Sequence, residues 1–115
     1  MTEKTFWEYI VSLEGTKIYT LTRNEKNTIT KVENSGGKSD RVIIDDRDSF
    51  PTREDLWAAY QLLFQLKELK RLPDLHWLKE KKVSSISFAI LAKLPGVFVK
   101  DMGKNNPTLK LSNDS

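Results

Sequence analysis

Apolar positions along the chain repeat with two different periods. In residues 3–14, Phe6, Trp7, Ile10, Val11 and Leu13 fall on one side of a 3.6-residue turn, and Gly15 follows as a stop. This predicts a first helix. The run KIYTLT (17–22) alternates instead, as do TITKVE (28–33), anchored by Ile29 and Val32, and RVIID (41–45). Alternation with β-branched and aromatic residues, separated by polar turns, predicts three strands in an antiparallel meander.

The helical period then returns. Thr52-Arg53-Glu54-Asp55 resembles a capping box, and Leu56, Trp57, Tyr60, Leu63 and Phe64 follow as one apolar stripe. The same helix is expected to carry Lys67, Lys70 and Arg71 on one face, since they stand at i, i+3 and i+4. Leu72-Pro73-Asp74 breaks the chain, and Asp74 starts a short turn or helix with Leu75, Trp77 and Leu78. Ser84 or Ser85 is the expected cap of a further helix over 85–94. Its Ile86, Phe88, Ala89, Ile90, Leu91 and Leu94 are apolar almost all round, so it should be the most buried element, with Lys93 in its last turn. Val97-Phe98-Val99 reads as a strand returning to the sheet. Thr108–Leu111 reads as an edge strand within a polar tail.

The expected architecture is α+β: a small, mainly antiparallel sheet of three to four strands packed on two to three helices. Its expected limits are residues 1–101 for one domain and 102–115 for a polar C-terminal tail that frays after the edge strand. A chain of 115 residues is about one domain. It has no cysteine, which removes disulfides and thiolate metal sites. No apolar run approaches the ~18 residues of a membrane span, and Glu8 interrupts the N-terminal apolar stretch, against a signal peptide. The expected location is therefore cytoplasmic, with no membrane partner.

Charge changes this picture in one place. The formal net charge is +3, and residues 67–82, KELKRLPDLHWLKEKK, account for all of it with six bases against three acids. Residues 45–55, DDRDSFPTRED, hold five acids and two bases. A basic concentration of this kind attracts polyanions. Lys67, Lys70, Arg71, Lys79, Lys81 and Lys82 are the candidate phosphate contacts. Ser84 and Ser85 join them, because a helix N-terminus presents free amides to an anion.

Three other motifs carry less. Gly37-Lys38-Ser39 is the tail of a phosphate-binding loop, but the loop's first glycine is replaced by Val32 and a strand follows where a helix is required. Gly36-Gly37 is read as a hairpin connection, with Lys38 and Ser39 exposed and without a ligand role. His76 is the only histidine, and nothing nearby completes a catalytic triad or a zinc site. Asp45, Asp46 and Asp48 end a strand, as Mg²⁺ ligands do in some nucleases. No Glu-x-Lys element lies between Asp48 and the helix that follows, and they are read as a polar turn. No cofactor, no metal and no catalytic residue is expected.

The block FPTREDLWAAYQLLFQLKELKRLPDL, followed by VSSISFAILAKLPGV, resembles a small α+β accessory domain of restriction-type and mobile-element proteins. The matching positions are Pro51, Asp55, Leu56, Ala59, Leu63, Leu69, Ser84, Ser85, Phe88, Ala89, Leu91, Leu94 and Pro95, within about residues 17–99. They are mostly core and cap positions and speak for fold more than activity. The resemblance implies association with DNA-directed systems. The strands precede the helices, unlike an ordinary winged helix. The expected function is non-catalytic nucleic-acid binding. The alternative is a protein-interaction or oligomerisation module whose basic patch meets an acidic partner or the 45–55 stretch of a second copy.

Overall fold

The computed structural model describes residues 1–21, 24–45, 51–78, 80–100 and 107–112. Thr2 caps the first helix, α1 (Glu3–Val11), its hydroxyl accepting the Thr5 N–H. Phe6, Trp7 and Ile10 are buried from one face of α1. Gly15 then reverses the chain at φ +85°, a conformation that costs glycine little, and its N–H reaches the Ile29 carbonyl at 2.7 Å. Strands β1 (Lys17–Tyr19), β2 (Lys26–Val32) and β3 (Val42–Ile44) form the expected antiparallel meander in the order β1-β2-β3. The strands are shorter than the alternating runs at several ends, and a register shift lies between Ile29 and Lys31.

Helix α2 (Arg53–Leu66) begins as the capping motif predicts. The Thr52 hydroxyl accepts the Asp55 N–H at 3.1 Å. Leu56, Ala59, Tyr60 and Leu63 are buried, but Phe64, expected in the stripe, is 55% exposed. The helix does not continue through Arg71. Lys67 closes it in the left-handed region at φ +69°, its N–H bonded to the Leu63 carbonyl, and the chain becomes strand β4 (Glu68–Lys70). Leu69 explains the change. Between two polar neighbours it matches a strand's period, and it is fully buried there.

A single turn, α3 (Arg71–Asp74), leads to α4 (Lys81–Leu91). Helix α4 starts earlier and stops earlier than expected. Its N-cap is Glu80, without a side-chain cap bond, and Lys93 lies beyond its last turn. Val83, Ile86, Phe88, Ala89, Ile90 and Leu91 are all buried, as the all-round apolar pattern requires. Strands β5 (Val97–Lys100) and β6 (Thr108–Leu111) complete a second antiparallel sheet in the order β4-β6-β5. Residues 108–111, expected at an edge within the polar tail, thus form its central strand, and Thr108 and Leu109 are buried.

The fold is α+β, with the described strands divided between two three-stranded sheets. Helix α2 packs on α1, α4, β4 and β6, and α4 also meets β1 and α3. One continuous buried cluster therefore serves both sheets. Leu56, Tyr60, Leu63, Phe88, Ile90 and Leu91 lie in it, as expected from their spacing. Among the described residues no helix is long and apolar enough to cross a membrane.

Candidate nucleic-acid interface

The basic segment does not form one helical face. Lys67 is the α2 cap, Lys70 ends β4 and Arg71 begins α3, so the chain changes conformation twice between them. The Lys67 ammonium lies 4.3 Å from the centroid of the Phe64 ring, a cation–π contact. The Lys67 carbonyl accepts the Leu111 N–H at 3.1 Å, which fixes this corner to the end of the second sheet. The Lys70 N–H is accepted by the Asp74 carboxylate at 2.8 Å. Arg71 Nη1 donates to Ser84 Oγ at 3.3 Å. Among the described residues no carboxylate lies within 4.0 Å of the charged ends of Lys67, Lys70 or Arg71.

The second half of the segment is different. Lys79 lies outside the described residues, and so does the side chain of Lys81. Lys82 Nζ is 3.6 Å from Glu25 Oε2 on the loop before β2. Ser84 and Ser85 are not helix caps. They fall inside the first two turns of α4, where the Ser84 N–H is already bonded to the Glu80 carbonyl at 3.0 Å. Ser84 is buried and Ser85 half-buried. Local apolar periodicity pointed to a start at the serines because the basic residues before them look polar. The long aliphatic stem of a lysine is nevertheless compatible with a helix's first turn.

The second sheet brings up residues that sequence reasoning missed. Glu68 pairs with Lys110, and Lys110 pairs with Phe98 on the other side. One step along, Lys70 pairs with Thr108 and Thr108 with Lys100. Paired residues share a face, so Glu68, Lys70, Phe98, Lys100, Thr108 and Lys110 all point away from buried Leu69 and Leu109, and of these Thr108, between Lys70 and Lys100, is itself buried. Phe98 is 49% exposed. Lys100 and Lys110 each place Nζ within 4.0 Å of Glu68 Oε1. The alternation in VFVK and TLKL carried this signal, but no local rule joins two strands with β4 across the sheet.

The remaining candidates resolve into structural roles. Gly36 has φ +99° in the β2–β3 connection, and Lys38 and Ser39 are exposed. This loop delivers acceptors, not a phosphate cradle. The carbonyls of Asp40 and Lys38 accept the Arg53 and Glu54 N–H groups at 2.6 and 3.2 Å, so the first amides of α2 are already occupied. Asp40 is buried. Ser35 donates its hydroxyl to Asp40 and Gly36 its N–H, with Arg53 Nη1 4.0 Å away. The Ser35 hydrogen bond, then the Gly36 amide and Arg53, hold the Asp40 carboxyl below the usual carboxylate value against the opposing effect of burial. Glu33 is likewise lowered, chiefly by the two-pronged hydrogen bond from Arg41 at 3.1 and 3.2 Å.

His76 is exposed, with Nδ1 2.6 Å from the Pro73 carbonyl oxygen. Trp77 is 38% exposed and donates to the Asp74 carbonyl, whereas Phe88 is buried. Asp45 accepts the Thr28 N–H, while Asp46 and Asp48 lie outside the described residues. Among the described residues no group of three or more potential metal ligands converges. In comparisons with protein families, curated proteins and solved structures, none matches this chain.

Proposed function

We propose that this is a non-catalytic nucleic-acid-binding domain. The observation that carries this reading is the corner formed by Lys67, Lys70 and Arg71, cations that no described carboxylate neutralises within 4.0 Å. Lys82, Lys79 and Lys81 follow in the same segment. Backbone phosphates are the polyanion such a corner suits, because Lys and Arg contacts to phosphate release condensed counterions. Ser84, buried in α4 and bonded to Arg71, supports the corner by holding the guanidinium. An accessory role in a mobile or restriction-like system is the context that the sequence resemblance supplies. The test is a titration of duplex DNA, single-stranded DNA and RNA at two salt concentrations. Four phosphate contacts give a slope of log affinity against log salt of about −3.6 on duplex. Absence of binding to any nucleic acid at low salt overturns the reading.

A protein-interaction role is favoured by a separate observation. Met1, Trp57, Tyr60, Gln61 and Phe64 line a cavity of about 290 Å³ beside α2. Trp57 and Tyr60 stack there with ring centroids 5.7 Å apart. Sedimentation velocity checks this reading: self-association that Phe64→Ser abolishes supports it, and a monomer at all concentrations removes the second-copy form.

A further inference from the structure

We propose that the outward face of the second sheet is a stacking platform for single-stranded nucleic acid. Phe98 contacts a base, and Lys70, Lys100 and Lys110 contact the phosphates. This rests on the nucleic-acid reading above and names its substrate class.

The geometry provides the argument. Phe98 stands on edge strand β5, half-exposed, directly across from Lys110 and two residues before Lys100 on the same face. Directly opposed side chains on antiparallel strands lie about 5 Å apart at Cβ, and diagonal ones about 7–8 Å. The exposed ring therefore has Lys110 and Lys100 as its neighbours on this face, with stems long enough to reach the phosphates of a base stacked on it. Buried Thr108 closes the row between Lys70 and Lys100, so the open part is the row through Glu68, Lys110 and Phe98, about 10 Å across three strands, room for roughly one or two nucleotides. Every base offers a π-face to such a ring, but in a duplex those faces are already stacked on neighbouring pairs. An aromatic on an open sheet selects unpaired strands for that reason.

Glu68 works against the phosphate and must be weighed. It lies between Lys100 and Lys110 at 3.8 and 4.0 Å, yet it is about half exposed. Surface ion pairs of this kind hold by little, so both lysines can exchange the carboxylate for phosphate. The face keeps three cations to one anion, and Lys70 leads directly into Arg71 at its border.

The test uses the full chain with fluorescein-labelled oligothymidylate and oligouridylate of about 12 nucleotides, and a duplex of equal length. Single strands should bind tighter than duplex. Phe98→Leu, which keeps apolar bulk but has no π-face, should weaken single-strand binding by about fivefold or more and leave duplex binding unchanged. Phe98→Tyr should bind like the wild type. Glu68→Gln should tighten binding to both. Equal affinity for single strands and duplex, or an unchanged affinity in Phe98→Leu, overturns the platform while leaving nucleic-acid binding intact. No binding to any of the three probes overturns both readings.

Discussion

The two sheets each place an aromatic ring among lysines, and their surroundings give them opposite characters. On the first sheet Tyr19, 44% exposed, pairs with Lys26 and shares its face with Lys17. Lys17 pairs with Thr28, whose N–H is held by the Asp45 carboxylate, and Asp45 opens the acidic stretch 45–55. On the second sheet Phe98 and its lysines border the Lys67–Arg71 corner. The local motif is nearly the same, but the first face adjoins the Asp45 carboxylate and the second the Lys67–Arg71 corner. A polyanion feels the summed field over about a Debye length, ~8–10 Å at physiological salt. What lies one strand away therefore decides which face can hold it.

The sheets also differ in how they are assembled. The first is a meander of consecutive strands. The second joins β4 to a strand that follows about forty residues later in the sequence, with α3 and α4 between. If both sheets belong to one cooperative unit, a core deletion in either should be equally damaging. Leu109→Ala and Leu91→Ala should each lower the unfolding free energy by about 2–5 kcal/mol, as Ile44→Ala should in the first sheet. Urea denaturation followed by tryptophan fluorescence checks this. A loss well below 1 kcal/mol for Leu109→Ala alone would make the second sheet a loosely attached appendage.

The same contrast explains what could be read from sequence. The meander and the two long helices were legible because their periodicity is local, and the Thr52 cap and the buried Leu56, Leu63, Phe88 and Leu91 follow from it. The second sheet was not. Lys67, Lys70 and Arg71 fit a helix face by spacing, and only pairing with Leu109 makes Leu69 a strand residue. β5 and β6 were legible as strands, but β6 looked like an edge because its central place comes from partners far off in sequence. Phe64 fitted the α2 stripe by spacing, yet the helix turns it outward beside Lys67. Of the proposed interface, Lys67, Lys70 and Arg71, which no described carboxylate pairs within 4.0 Å, were legible as charge, whereas Phe98, Lys100 and Lys110 depend on register.

The next effect in size tests how the first sheet is fastened. Its β2–β3 connection is pinned to α2 through Asp40, which has no counterpart among the described residues of the second sheet. Asp40→Ala leaves the Ser35 and Gly36 donors without their partner and should cost about 1–3 kcal/mol. Because the folded-state pKa of Asp40 is lowered, its ionised form stabilises the fold. That contribution is full above about pH 4, the ordinary aspartate value, and fades as pH falls through the lower folded value. The wild type should therefore lose stability on acidification below about pH 4 more steeply than Asp40→Ala does. Parallel acid-unfolding curves for the two proteins would contradict this assignment.

The electrostatic half of the comparison can be tested with matched charge removals. One variant replaces Lys70, Lys100 and Lys110 by Gln; the other replaces Lys17, Lys26 and Lys31. Net charge changes equally. Only the first should flatten the salt dependence of single-strand binding, by up to about 2 logarithmic units if all three contact phosphate. Tyr19→Leu serves as the matching control for Phe98→Leu and should leave affinity unchanged. Equal effects of the two triple variants would mean that net charge, and not the second face, governs association.

The smallest expected effect concerns α4, which packs on α2, α3 and β1. Ser87 is fully buried on it, and its hydroxyl is the one buried side-chain polar atom without a hydrogen-bond partner among the described residues. A hydroxyl taken out of water without compensation opposes folding, and serine is also a poorer helix former than alanine. Ser87→Ala removes both costs, and the methyl side chain that remains fits the space already occupied. The substitution should raise stability by about 0.5–1 kcal/mol. For a domain of this length that is a rise of about 2–8 °C in melting temperature. Nucleic-acid binding should not change, since Ser87 faces neither sheet's outer surface. A lower melting temperature in Ser87→Ala would show that the hydroxyl has a partner in solution, and would place a polar contact inside the core shared by the two sheets.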